Sequence, residues 1–169
     1  MAEEERASAF GLWRYAREYL AAARTLADAA VGLHTIVVHT DITYQCACQG
    51  LELAFKAYLG ARGATLGDLR GIGHPITKAM TAALDRGLEP ISLDHARAIA
   101  TVDQLYAAHE FRYIVTGAKV YPALQVLLAA GAAVLSTIAP TVSVAATGDE
   151  TLVLRMRQKA AQITAARSS

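Results

Sequence analysis

The sequence predicts an all-α fold, one helical bundle, and three observations carry that expectation. Hydrophobic residues make up 54% and charged residues 18% of the 169 residues, so the chain has a sizeable core to bury and disorder is excluded. Apolar residues recur at spacings of three and four through successive segments, which glycines and prolines punctuate. Strand–helix alternation is absent, which argues against an α/β fold.

The first predicted helix runs from about Ser8 to Ala30, with Leu12, Tyr15, Tyr19, Ala22 and Leu26 on its core face. Arg14, Arg17, Glu18, Arg24 and Asp28 take the other side, and Phe10 and Trp13 widen the apolar stripe. Gly32 to Thr40 reads as a connection or a frayed helix start, because four β-branched residues cannot make a sheet alone. Asp41 is placed to cap a second helix, Ile42 to about Arg62, that Gly63 stops. This helix is apolar over most of its circumference and should be central. Its polar residues Gln45, Gln49, Glu52 and Lys56 form one stripe.

Four glycines between Gly63 and Gly73 predict a loop. Pro75 suits the first position of a third helix, with His74 at the cap and Ile76, Met80, Ala83 and Leu84 on one face; Gly87 ends it. Ser92 can cap a fourth helix that carries Leu93, Ala96, Ile99, Val102, Leu105 and Tyr106. After a break from His109 to Tyr121, Pro122 opens a fifth helix that should close before Pro140. Residues 1–140 then form the bundle. Residues 141–169 add a linker and a basic amphipathic helix, Asp149 to about Ala166, to the same domain.

The composition also limits function. A net charge of +1 offers no global attraction for nucleic acid. Cys46 and Cys48 stand two apart on a helix, point away from each other and have no further cysteine to complete a metal set. Two free thiols, with an acidic start that lacks the pattern of a signal peptide, suit the cytoplasm. No charge occurs from Val120 to Gly148, a stretch long enough to span a bilayer. Its Ala, Ser, Thr and Gly content and its two bracketing prolines fit a buried central helix better, so no membrane partner is expected. Neither a GxGxxG, P-loop or HExxH pattern nor metal spacing among His34, His39 and His95 is present, and no cofactor is implied. The apolar surplus beside so little charge predicts a homodimer.

Two stretches carry a family likeness. Tyr44 to Leu59 includes Glu52-Leu53, Lys56-Ala57 and Leu59, and resembles the second helix of HEPN domains (higher eukaryotes and prokaryotes nucleotide-binding). Gly73-His74-Pro75-Ile76 resembles that family's Gly-His-Asp-Leu element, with Pro75 in place of the Asp, and Phe111-Arg112-Tyr113 resembles its aromatic-flanked Arg-Tyr. The likeness covers about residues 8–138. It implies an up-and-down bundle of about five helices, here followed by a C-terminal helix, that dimerises. It further implies binding of a nucleotide or RNA, partnership with a nucleotidyltransferase in a toxin–antitoxin pair, or RNA cleavage. Cleaving members carry an Arg followed after four to six residues by a His. Here no histidine follows Arg112, and Arg70 and His74 are spaced too closely.

The candidate ligand-binding residues are therefore Glu52, Lys56, His74, Arg112 and Tyr113, expected to converge with Arg112 reaching toward the second helix. The polar stripe of that helix is either its exposed edge or the wall of a groove. His74 either caps its helix or packs under the loop, or it serves as a general base or a phosphate contact. Arg112 either grips an anion or pins its loop to Glu52. The basic last helix reads as a solvated face or a dimer arm. A non-catalytic HEPN-like binding or interaction module and a structural dimerisation protein are both favoured over a metal-independent ribonuclease using His74 or His109 with Arg112, because the cleaving motif is missing.

Overall fold

A computed structural model of the chain describes residues 8–32, 40–113, 120–148 and 162, and among these it forms six α-helices and no strand. They are α1 (Ala9–Gly32), α2 (Thr40–Ala61), α3 (Leu66–Ile72), α4 (Ile76–Asp85), α5 (Leu93–Ala107) and α6 (Leu124–Thr147). The all-α expectation holds. The α2 helix is central, as its all-round apolar character predicts: it packs against every other helix. Its Ala47, Cys48, Leu51, Ala54, Phe55 and Leu59 are almost completely buried.

The core face of α1 differs from the sequence expectation. Ala16, Leu20, Ala23 and Ala27 are buried, whereas Tyr15 and Tyr19 are exposed. Size explains the difference. A Cβ at Gly50 of α2 would stand 2.6 Å from Leu20 Cγ, and one at Gly131 of α6 would stand 2.5 Å from Leu20 Cδ2. Leu20 thus wedges into the space that two glycines leave open, and only alanines fit beside it at this close approach.

Asp41 does not cap α2 but lies within its first turn, where its carboxylate accepts the Tyr121 hydroxyl at 2.5 Å. The glycine-rich segment after α2 is not a plain loop. Thr65 accepts the Asp68 amide and Asp68 accepts the Thr65 amide, a capping box that starts α3. Gly63 does stop α2, at φ 84°.

His74 does not cap α4; Pro75 occupies the cap position and forms no side-chain cap bond. The cap comes from another helix. Asp103 of α5 accepts the Ile76 amide at 2.6 Å, the Thr77 amide at 3.1 Å and the Thr77 hydroxyl. Ser92 caps α5 as expected, through the His95 amide. Leu93, in contrast, is exposed at the first turn of α5.

The fifth predicted helix starts later and ends later than expected. α6 runs through Pro140 to Thr147, so the proposed linker at 141–147 and the boundary at 140 fall inside a helix. Proline removes one main-chain bond, but Ile138 and Val142 are buried on either side of it and hold the helix together. By length and composition α6 could cross a membrane, yet it also packs on α1, α2 and α5. The segments around Gly32–Thr40 and the expected helix from Asp149 to Ala166 lie outside the described residues, apart from residues 32, 40 and 162.

Candidate functional site

The polar stripe of α2 turns inward at Glu52, which is only 2% exposed. A carboxylate in that position needs partners on both oxygens. Lys56, one turn on, donates Nζ to Oε1 at 2.6 Å. The Tyr106 hydroxyl from α5 donates to Oε2 at 2.5 Å, and its oxygen lies 2.8 Å from Gln49 Oε1. His74, between α3 and α4, places Nδ1 3.2 Å from Oε2. An ionised carboxylate only accepts, so Nδ1 carries a proton, and Nε2 can donate to an anionic ligand only in the imidazolium form. The His74 side chain is 48% exposed, against 13% for Lys56. It is the part of this network that solvent reaches.

The turn after α5 completes the cluster. His109 has φ 60°, the one positive value outside glycine among the described residues. The Glu110 amide donates to the Leu105 carbonyl, and the His109 amide to that of Tyr106. This is the left-handed helix stop that glycine normally makes, and a histidine there costs roughly 1 kcal/mol or more. The reversal sets the His109 ring edge-on to His74, centroids 5.5 Å apart. It also turns Phe111 into the core, where Phe111, Tyr44 and Tyr121 form a ring cluster with centroids 4.8–6.1 Å apart. Tyr44 donates its hydroxyl to the Pro122 carbonyl at 2.5 Å and so ties α2 to the entry of α6.

Of the five expected ligand residues, Glu52, Lys56 and His74 converge. Arg112 does not pair with Glu52. It is exposed beside the cluster, close enough for its charge to act on the Tyr106 hydroxyl. Lys56 already fills the cationic place at the carboxylate, which leaves no need for a second cation within the buried network. Tyr113 is 69% exposed and makes no hydrogen bond or ring contact among the described residues. His109, named with the catalytic alternative, joins the cluster. Gln49 belongs to the polar stripe read from the sequence, whereas Tyr106 is an addition. Tyr106 reads as a core residue by periodicity, and its hydroxyl, which requires a partner once buried, was the available signal.

Tyr106 and Tyr121 share an electrostatic character. Burial first, and then the bond and charge of the accepting carboxylate, push both hydroxyls well above their ordinary value near 10. The unfolded chain releases these protons near pH 10, whereas the folded chain keeps them. Their contribution to stability is therefore whole below pH 10 and declines above it. Urea unfolding midpoints measured from pH 8 to 11 should fall above pH 10, and Tyr106→Phe should flatten that fall. An unchanged slope would contradict the Tyr106–Glu52 bond.

Burial, followed by the charges of Asp103 and Glu52, pushes the Cys48 thiol well up, and burial alone raises Cys46. Neither has the lowered pKa of a nucleophile. Among the described residues no group of three His, Cys, Asp or Glu side chains is arranged to hold a metal. Comparison with protein families, curated proteins and solved structures finds no match.

Proposed function

We propose that the chain is a non-catalytic, HEPN-like binding module that recognises a phosphate group of a nucleotide or RNA with His74 and Arg112. The observation that carries the reading is a half-exposed imidazole fixed by a buried carboxylate, with the exposed Arg112 guanidinium close enough for its charge to act on Tyr106 of the same network. Lys56 neutralises Glu52, so the Arg112 guanidinium is not needed at the buried carboxylate and can serve an anion. The resemblance of Glu52, Lys56, His74 and Arg112 to the family's motifs supports the same choice. A nucleotidyltransferase partner and a toxin–antitoxin setting belong to that resemblance.

Titration calorimetry with adenosine monophosphate and a uridine oligonucleotide tests the proposal. Arg112→Ala and His74→Ala should each weaken binding roughly 10- to 100-fold, the loss of one charge-assisted hydrogen bond. Arg112→Ala should leave the melting temperature nearly unchanged, since Arg112 is exposed and unpaired with Glu52. Binding that ignores both substitutions would refute the site.

The paired imidazoles of His74 and His109 favour one second reading, acid–base cleavage of RNA. A mixed single-stranded RNA panel should remain intact. Cleavage that Arg112→Ala abolishes would establish the enzyme instead.

The module is further proposed to work as a homodimer. α1 leaves Phe10, Tyr15 and Tyr19 exposed, with Ile42 of α2 also exposed, an apolar surplus that association would cover. Light scattering at micromolar concentration should give about twice the 17.9 kDa chain mass. A monomer would refute this part alone.

A further inference from the structure

A polar cleft of about 470 Å³ lies between the end of α2, the turn after α4 and the middle of α6, and the Glu52 cluster makes no use of it. Its cation is Arg62. Tyr58, which is buried, donates its hydroxyl to the Arg86 carbonyl at 3.2 Å and accepts Arg62 Nε at 3.2 Å. The guanidinium also lies over the Tyr58 ring, 5.6 Å from its centroid. One nitrogen is thereby committed and the two terminal nitrogens are left to donate. Among the described residues no carboxylate pairs with them. Gly87 makes this position available: its φ is +86°, and a Cβ there would meet Arg62 Nη2 at 3.2 Å.

The opposite wall is α6. The hydroxyls of Ser136, Thr137 and Thr141 line the cleft and form no hydrogen bond among the described residues. Pro140 has no N–H, so the Ser136 carbonyl lacks the donor that an uninterrupted helix would give it. Glu89 adds a carboxylate acceptor, and Leu88 an apolar surface. A bare inorganic anion would satisfy Arg62 but meet repulsion from Glu89 and leave the carbonyl unused. A neutral sugar would leave the guanidinium without a counter-charge. A fixed donor fork facing hydroxyls and acceptors matches a ligand with an anionic head and a hydroxylated body.

We propose that this cleft binds a small anionic carbohydrate, its phosphate or carboxylate on Arg62 and its hydroxyls on the α6 wall and Glu89. The site is independent of His74 and Arg112. Amide chemical shifts of the full chain, followed by NMR during titration with glucose 6-phosphate, glucuronate, inorganic phosphate and glucose, test it. Gly87 and Thr137 should respond saturably to glucose 6-phosphate or glucuronate, and at least tenfold more weakly to inorganic phosphate and to glucose. The response to glucose 6-phosphate against glucuronate identifies the head group. Arg62→Gln should weaken binding at least tenfold, Arg62→Lys should restore part of it, and Arg112→Ala should leave it unchanged. No saturable response to either anionic sugar, a response that survives Arg62→Gln, or one that Arg112→Ala removes would each overturn the proposal.

Discussion

Glu52→Ala is expected to destabilise the fold by about 3 kcal/mol, at the low end of what breaking a buried ion pair costs. The carboxylate has three donors, but they do not suffer equally when it is removed. Tyr106 keeps Gln49 as an acceptor at 2.8 Å, and His74 is half-exposed and turns to water. Lys56 bears the main loss, since its ammonium is left 13% exposed with no partner. Adding Lys56→Met to Glu52→Ala should therefore recover part of the stability, a coupling of roughly 1–2 kcal/mol. Urea unfolding of the two single variants and the double variant measures it. Additive losses would mean that the pair does not govern the buried charge.

Asp103→Ala is expected to cost a similar amount, about 3 kcal/mol, for a different reason. It strands two main-chain amides and a hydroxyl at the start of α4, and Ile76 is fully buried, so water cannot replace the acceptor. Asp103→Asn keeps an acceptor oxygen and should cost about half as much. Because His74 stands two residues before Ile76, fraying of α4 should also weaken ligand binding at His74. Amide exchange in α4 together with urea unfolding checks both effects. A loss under about 1 kcal/mol would show that the cap is dispensable.

These two carboxylates also show what could be read from the sequence. Glu52 stands out because it is the one acid in the polar stripe Gln45, Gln49, Glu52 and Lys56, and His74 because it precedes a proline-led helix. Their convergence was legible. Asp103 was not, because it lies on the apolar face of α5 beside Ile99, Val102 and Tyr106, and periodicity alone does not reveal which distant helix end needs an acceptor. The face of α1 was misjudged for a related reason. Hydrophobic spacing favours Tyr15 and Tyr19, whereas the space between Gly50 and Gly131 selects Leu20 and its alanine neighbours by size. The end of α6 was misjudged because a proline is a strong stop signal locally, and burial of Ile138 and Val142 overrides it. Of the two alternatives for Arg112, pinning its loop to Glu52 fails, because Lys56 on the same helix reaches the carboxylate first, at the favourable spacing of four.

The central claim is that Glu52 fixes the His74 imidazole by its Nδ1–H and leaves Nε2 free for a ligand. Two-bond proton–nitrogen correlation NMR of His74, recorded at a pH where the ring is neutral, tests it most directly. Nδ1 should be protonated and Nε2 bare in the free protein, and adenosine monophosphate should bring a proton onto Nε2, which then donates to the phosphate. An Nε2–H tautomer in the free protein, or an Nε2 signal indifferent to the nucleotide, would contradict the claim.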